Sequence, residues 1–441
     1  MPLNTEPYTG WGRVLTGTGG RARPEKSASL ARIMGHAPGP AIGALRSYGD
    51  AALSDAPAVD MSRMDRLLSF DTSNGVLEAE AGVPLATLLE LFGPRGWMPA
   101  VMPGTGHATL GGAIAADVHG KNHHAAGSFG QHVLGLRLIG ADGQVRDISP
   151  DVEGELFRAT LGGMGLTGVI ESATIQLAPC PSVLVDVQER RMPNLASYIA
   201  AFEDSEATFS VGWIDATGTG DKLGRGILEE AEFVTREAAF FQPRKAPKTV
   251  PFNAPGFAMA APVVRAFNQY YYSRIPKTGR HSSKQIAAFF HPLDGLSGWN
   301  KLYGKRGFHQ FQCVLPPANA ALVLDAMLRE IGRSGLAAPL AVLKKMGPGR
   351  AGPLSFPMEG YTLAVDFASR PGVAQLIERL IDQTVEAEGR VYLAKDSLAA
   401  PDHIAPMYDE LGDFRAVVRQ ADPDGVFETD LARRLNLRGT A

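Results

Sequence analysis

The 441-residue sequence predicts an α+β protein of two or more domains, with strands joined mostly by turns. Three observations carry that expectation. Residues 41–178 alternate short apolar runs with glycine-rich turns. Between Pro179 and Val183 the character changes, and the segments that follow are longer, amphipathic and richer in aromatic residues. Near the C-terminus, Val373 to Glu388 carries apolar residues at helical spacing before a short strand-like run.

Taken in order, Val76 to Gly82 alternates in strand fashion, and Pro84 to Phe92 then reads as a short helix opened by proline. Val133 to Ile139 alternates again, and Ala141-Asp142-Gly143 supplies a hairpin turn before Val145. A helix is expected over Glu155 to Leu161, followed by Gly162 to Gly165 and a strand pair, Gly168 to Ile170 and Ser172 to Leu177. Met192 to Asp204 is amphipathic. The polar spans Gln242 to Lys248 and Pro276 to Lys284 read as long loops. Phe308 to Val314 alternates, which puts Gln310 and Gln312 on one sheet face. Val391 to Asp396 reads as a strand running into a polar tip.

The charge balance narrows the function classes. A net charge of −3 without a concentrated basic face argues against nucleic acid as the main partner. Cys180 and Cys313 form neither a metal-ligand spacing nor a disulfide framework, which fits a reducing cytoplasm. The opening residues lack the apolar core of a secretory signal, and no run approaches the roughly 20 apolar residues that span a bilayer. The expected location is the cytoplasm, with room for peripheral contact with the inner face of the membrane.

The most informative stretch is Pro103 to Val133, which holds seven glycines and five of the ten histidines, with Asp117 and Lys121 as its formal charges. A single glycine cluster is an ordinary turn. Here three glycine-bearing segments, Arg46 to Asp50, Pro103 to Gly112 and Gly162 to Gly168, each accompany a short strand. Together they fit the close backbone approach that an extended diphosphate ligand needs. None has P-loop spacing or the Rossmann pattern of glycines, helix and distant acidic residue. His119, His123 and His124 have a spacing that metal ligands use, but no carboxylate or cysteine cluster accompanies them, so no metal is expected. Lys121 is either a solvated loop lysine or a partner for a phosphate. From the residues alone, Gln310 and Gln312 read as a solvent-facing pair.

Several of these motifs together resemble one family. They are Arg46-Ser-Tyr-Gly-Asp50, Pro103-Gly-Thr105 with Thr109 to Gly130, Leu161 to Ile170, and Tyr392-Leu-Ala-Lys-Asp-Ser397. The chain resembles the vanillyl-alcohol-oxidase-type (PCMH) FAD flavoproteins, and within them the branch that oxidises polyprenyl-phosphoryl ribose. The likeness runs from Thr9 to Leu437.

The resemblance implies a two-subdomain FAD-binding domain over residues 1–180 and an α+β substrate-binding domain with an antiparallel sheet over 181–385. A C-terminal segment, 386–441, would return to the FAD-binding domain and active site. It implies an FAD-dependent oxidoreductase acting on CH–OH groups. The enzyme would oxidise the 2-hydroxyl of the lipid-linked ribose as the first half of epimerisation to the arabinose form, a cell-wall arabinan precursor. A separate NAD(P)H-dependent keto-sugar reductase would follow.

Carried over residue by residue, Arg46, Ser47, Tyr48, Gly49 and Asp50 would form the first FAD loop. Gly104, Thr109, Leu110, Gly111 and Gly112 would line the pyrophosphate, with Ala116, Asp117 and His119 close to the flavin and Gly168, Ile170 and Tyr392 completing the pocket. Lys121, Trp213, Tyr303, Gln310, Gln312 and Lys344 would surround the sugar and its phosphate. His119 would be a neutral group at the flavin edge, and Lys395 the active-site lysine, acting as base or fixing the developing alkoxide.

Relatives often tether the flavin through a histidine in the first loop. Tyr48 stands there in this chain, so FAD is expected to bind non-covalently. Two departures matter. Leu45 replaces a glycine beside the pyrophosphate, and Ala364 replaces a cysteine that is not needed for hydride transfer. An FAD-dependent oxidase of a soluble polyol or aldonolactone is the competing enzyme reading, and a non-catalytic flavin-binding protein the competing reading of another class.

Overall fold

The computed structural model describes residues 3–234, Gln242 and residues 246–439. Besides the short pairing of Tyr8–Thr9 with Thr16–Gly17, its N-terminal part holds two sheets. Arg21–Ala22, Ala58–Asp60 and Ala41–Ile42 pair as three parallel strands in that order. The second sheet is antiparallel, ordered Val145–Ile148, Val133–Ile139, Val169–Pro179, Val76–Glu80, Leu67–Asp71, with Trp97–Pro99 also on the 11-residue central strand.

The central strand replaces the two expected between Gly168 and Leu177. A register shift between Ile170 and Ser172 puts a bulge where the sequence reads as a break. The hairpin forms as expected. Asp142 accepts from the Gln144 N–H at 3.0 Å, and Gly143, at φ +74°, turns the chain so that Val145 pairs with Ile139.

The rest of the chain is built on one eight-stranded antiparallel sheet. Its order is Arg280–Gln285, Leu184–Met192, Gly226–Phe233, Phe209–Ile214, Ala337–Met346, Gly360–Ala368, Phe308–Leu315, Arg390–Val391. The side-chain period of two gives this sheet two characters. Phe311, Cys313, Leu343, Tyr361, Leu363, Val365 and Phe367 are buried in the core beside the helices Pro317–Ser334 and Val373–Glu386. Gln310, Gln312, Lys344, Thr362 and Ala364 alternate with them and face the other way, onto a cavity. The Pro317–Ser334 helix begins on proline and stops at Gly335, φ +64°, as the preference for proline at the start and glycine at the end predicts.

Two expectations change here. Pro276 to Lys284 is not a long loop, because Arg280–Gln285 pairs with Leu184–Glu189 as the edge strand. Its polarity is that of a half-exposed edge, where charged side chains block further pairing. Residues 243–245 of the other expected loop lie outside the described residues. Val391 to Asp396 is a strand only at Arg390–Val391 and then turns. Residues 404–434 add three short helices, and Arg434 returns to the first glycine segment with two 2.7 Å hydrogen bonds to Asp50.

Candidate active site

The three glycine segments each adjoin a strand of the N-terminal sheets and meet at one cavity. Residues 43–50 follow Ala41–Ile42, residues 100–109 follow Trp97–Pro99, and residues 162–168 lead into Val169–Pro179. Together they line one side of a cavity of ≈ 850 Å³, at the upper end of the range for cofactor sites.

The wall suits a dinucleotide. The N–H groups of residues 43–47 donate to no acceptor among the described residues, which leaves a run of donors along the cavity. Gly104 and Gly112 are exposed on it, and a Cβ at Gly104 would meet nothing within 4 Å. By contrast, Leu110 and Gly111 donate to Val83 and Ala81 at 2.8 Å, and Gly112 donates to its N-cap Thr109 at 3.2 Å. The helix start therefore offers close approach, and the free donors lie in the 43–47 loop. Leu45 sits at φ +53°, a conformation glycine adopts freely and leucine at a cost of about 1 kcal/mol.

The opposite wall is the polar face of the large sheet. Lys344 donates to His119 Nδ1 at 2.7 Å and to the Gly120 carbonyl at 2.5 Å. The Gln312 amide lies 3.0 Å from His119 Nε2. A neutral imidazole carries one N–H; with Nδ1 accepting from Lys344, that proton sits on Nε2, which requires the Gln312 amide to turn its oxygen toward the ring in place of its nitrogen. Burial, reinforced by Lys344, holds the His119 pKa well below its usual value, so the ring is neutral. Both ring nitrogens are thus engaged by protein. Burial, with Lys121 nearby, also brings Lys344 down to about 7.

Lys395 comes from the turn after Arg390–Val391, which is fixed on two sides. Tyr392 N–H donates to Gln312 O at 3.0 Å, and Tyr48 N–H donates to Ala394 O at 3.0 Å. The Lys395 ammonium lies over the Tyr48 ring, 3.6 Å from its centre. Burial lowers its pKa to about 7, against the opposing pull of Asp366.

Sequence reasoning missed Asp366. It stands opposite Gln310 in strand register, accepts from the Gln310 amide at 2.5 Å and the Tyr303 hydroxyl at 2.6 Å, and is pushed up to about 7 by burial. The signal that could have found it is its place on the Thr362–Ala364 face of a strand otherwise filled with core residues.

Of the residues expected at the site, Arg46, Ser47, Tyr48, Gly104, Thr109, Gly111, Gly112, Ala116, His119, Lys121, Gly168 and Ile170 line this cavity. Trp213, Gln310, Gln312, Lys344, Tyr392 and Lys395 do so too. Gly49, Asp50, Leu110, Asp117 and Tyr303 stand one layer back. A Cβ on Gly49 would lie 1.9 Å from the Asp396 carbonyl, so this contact requires glycine. Asp117 ties the cradle to the second half of the chain by accepting from Gly130 N at 2.7 Å and Ala351 N at 3.1 Å. Tyr303 stacks on Phe308 and holds Asp366. Lys121 is not solvated: it donates to Phe289 O at 2.7 Å, lies over the Phe289 ring and stands 3.7 Å from Glu229.

Comparison with known proteins points to an FAD-binding family. A family model described as an FAD binding domain matches residues 21–149. The chain is 35% identical over 458 aligned residues to the decaprenylphosphoryl-β-D-ribose oxidase of Mycolicibacterium smegmatis, with 99% of each chain covered. It is 33% identical to an uncharacterized protein of Streptomyces coelicolor, over 80% of this chain and 100% of that one. It is 29% identical to the L-gulonolactone oxidase of Bos taurus, over 37% of this chain and 38% of the relative.

Proposed function

The chain belongs to the family of the decaprenylphosphoryl-β-D-ribose oxidases, and from that premise we propose that it is an FAD-dependent oxidoreductase that converts the 2-hydroxyl of a polyprenyl-phosphoryl-β-D-ribose to the 2-keto sugar. The observation that carries the reading is the meeting of two walls in one cavity: the glycine cradle on one side, and Gln310, Gln312, Lys344 and Lys395 on the other. Bound FAD supplies the hydride acceptor. With Tyr48 in the first loop, no histidine is available there to tether it, so it is held non-covalently.

The protein's own groups handle the proton and the positioning. With a pKa near 7, Lys395 is neutral in about half of the molecules at neutral pH and can take the hydroxyl proton as the hydride leaves. Its charged form then stands beside the developing keto oxygen. His119 keeps Lys344 and Gln312 in place, since both of its ring nitrogens point to them. In its charged form Lys344 spends two of its three donors and keeps one for a sugar oxygen. Product of this kind requires a reductase to complete epimerisation, an NAD(P)H-dependent enzyme separate from this chain.

The lipid tail gives the outer surface a role. Phe257 and Tyr270 are 71% and 72% exposed, with Phe252, Val263 and Phe267 exposed in the same stretch. From residue 246 to 324 Asp294 is the sole acidic residue, while lysines and arginines recur. No helix among the described residues is long and apolar enough to cross a membrane. An apolar, basic face suits peripheral contact with an anionic bilayer. Sedimentation with phosphatidylglycerol vesicles, lost in Phe257→Ser/Tyr270→Ser, checks it; binding unaltered in that variant would reject it.

The function is tested by anaerobic reduction of the bound flavin. Farnesylphosphoryl-β-D-ribose is expected to bleach it, whereas xylitol and L-gulono-1,4-lactone are not. Bleaching only by the polyol or the lactone would overturn the substrate assignment.

A further inference from the structure

Beside Lys344 the cavity has a charged wall in which only Lys121 was expected from the sequence, and Glu229, Arg274 and Lys284 have no part in the roles above. Lys121, Glu229, Arg274 and Lys284 line it. Behind it the fully buried Glu189 side chain stands opposite Glu229 in strand register. Two carboxylates directly opposed on one sheet face repel, so they require cations. Arg280 meets this need at Glu189 with its Nε at 2.7 Å, and Arg274 lies 3.2 Å from the same carboxylate. Burial favours a neutral Glu229, but Lys121, Lys284 and Arg274 outweigh it and hold its carboxyl below the usual range.

The cations exceed what the carboxylates need. Four of them, Lys121, Arg274, Arg280 and Lys284, face two carboxylates, which leaves two positive charges on this wall of the cavity. Their donors are also underused. The Lys284 ammonium is 3.5 Å from Glu229 and 3.8 Å from Glu189, long for either contact. Arg274 Nε is buried without a hydrogen-bond partner. Glu189 Oε1 is likewise buried without a hydrogen-bond partner, so what the glutamates leave over is positive charge.

We propose that Lys121, Arg274 and Lys284, gathered around Glu229 on this wall, form the subsite for the phosphate of a phosphoryl sugar. This assignment rests on the reading of the site given above and deepens it. A phosphodiester oxygen supplies the missing acceptors and anionic charge. A neutral polyol or lactone has nothing to offer this wall, so the subsite selects substrates by their phosphate. The exit for the lipid lies beside it. Arg274 sits on the Tyr271 ring, Tyr271 stacks on Phe267, and Phe267 belongs to the exposed apolar face.

The test titrates holoenzyme with farnesyl phosphate, read through the flavin absorbance. Farnesyl phosphate is expected to bind at least tenfold more tightly than farnesol, and Arg274→Gln/Lys284→Gln to raise its Kd at least tenfold. Unchanged Kd in the variant, or equal binding of farnesol, would overturn the subsite. Flavin content and melting temperature monitor folding; should the double variant lose its flavin, Lys284→Gln alone carries the same expectation at threefold or more. Inorganic phosphate separates the sources of the anion, because a chain-borne phosphate should bind at least tenfold tighter, and equal affinities would assign the wall to free phosphate instead. The two readings fail separately. Flavin reduction by farnesylphosphoryl ribose with unaltered Kd in the variant removes the subsite alone, whereas phosphate-dependent binding without any reduction removes the oxidation alone.

Discussion

The Lys395 ammonium lies 3.6 Å from the centre of the Tyr48 ring, and each residue is held by the other's loop, since Tyr48 N–H donates to the Ala394 carbonyl. The pairing joins the first cradle loop to the turn that carries the lysine proposed as base, so the two are placed by one contact. Burial pushes the Tyr48 phenol well above its ordinary pKa, which keeps it neutral and leaves Lys395 as the titrating member. Lys395→Ala is therefore expected to keep its yellow flavin while single-turnover reduction slows by about 10²–10⁴-fold. Stopped-flow bleaching checks it; an unchanged rate would take Lys395 out of the chemistry.

The pH dependence follows from the sign of the Lys395 shift. Burial lowers its pKa to about 7, so the form able to accept a proton is scarce below that value and dominant above it. The rate of flavin reduction is expected to rise between about pH 6 and 8 and then level off. A flat profile over that range would exclude Lys395 as the base.

Asp366 acts on that profile from behind the wall. Its charge raises the pKa of Lys395 against burial, so Asp366→Asn removes the opposing effect and the limb moves to lower pH. Because Asp366 itself titrates near 7, the two groups share their protons and the wild-type limb belongs to the pair. A purely structural role would lower the rate at every pH and leave the limb in place, which a rate–pH series distinguishes.

The cradle was legible in the sequence because glycine loops and the strands beside them are local features. Gln310 and Gln312 were legible as a pair for the same reason, since alternation in one strand sets their common face. Asp366, Glu229 and Arg274 were not. Each joins its partners through register across the eight-stranded sheet or through packing of a distant helix, and no spacing along the chain encodes that. The edge strand Arg280–Gln285 was misread because its composition is that of a loop, and only its pairing with Leu184–Glu189 distinguishes it. Leu45 was recognised as a departure, but its left-handed backbone is a property of the loop closed around it.

The C-terminal segment is tied to the first glycine loop through Arg434. It forms two 2.7 Å hydrogen bonds to Asp50, whose side chain is nearly buried, and a 3.0 Å ion pair with Asp396. Arg434→Ala leaves that carboxylate unpaired, at a cost of about 3 kcal/mol. A lower melting temperature at pH 7 and weaker FAD retention on dilution are the expected outcomes. A variant with wild-type melting would show that Asp50 finds another partner.

Ala364 gives the sharpest probe of the cavity wall. It lines the cavity opposite Gln312 in strand register. The two native thiols are unsuited to report on this wall: Cys180 and Cys313 are buried, and burial pushes them up to about 11 and about 12. Both are thus thiols rather than thiolates at neutral pH and react slowly. Native protein is expected to resist a disulfide reagent such as 5,5′-dithiobis(2-nitrobenzoate), whereas Ala364→Cys gains one reactive thiol. Farnesylphosphoryl ribose, bound across the cavity, should protect it by at least tenfold in rate, with xylitol giving no protection. Reaction of the native protein at a comparable rate would mean that a buried cysteine is reached. Failure of the phosphoryl sugar to protect the new thiol would place the substrate away from the Gln312–Ala364 wall.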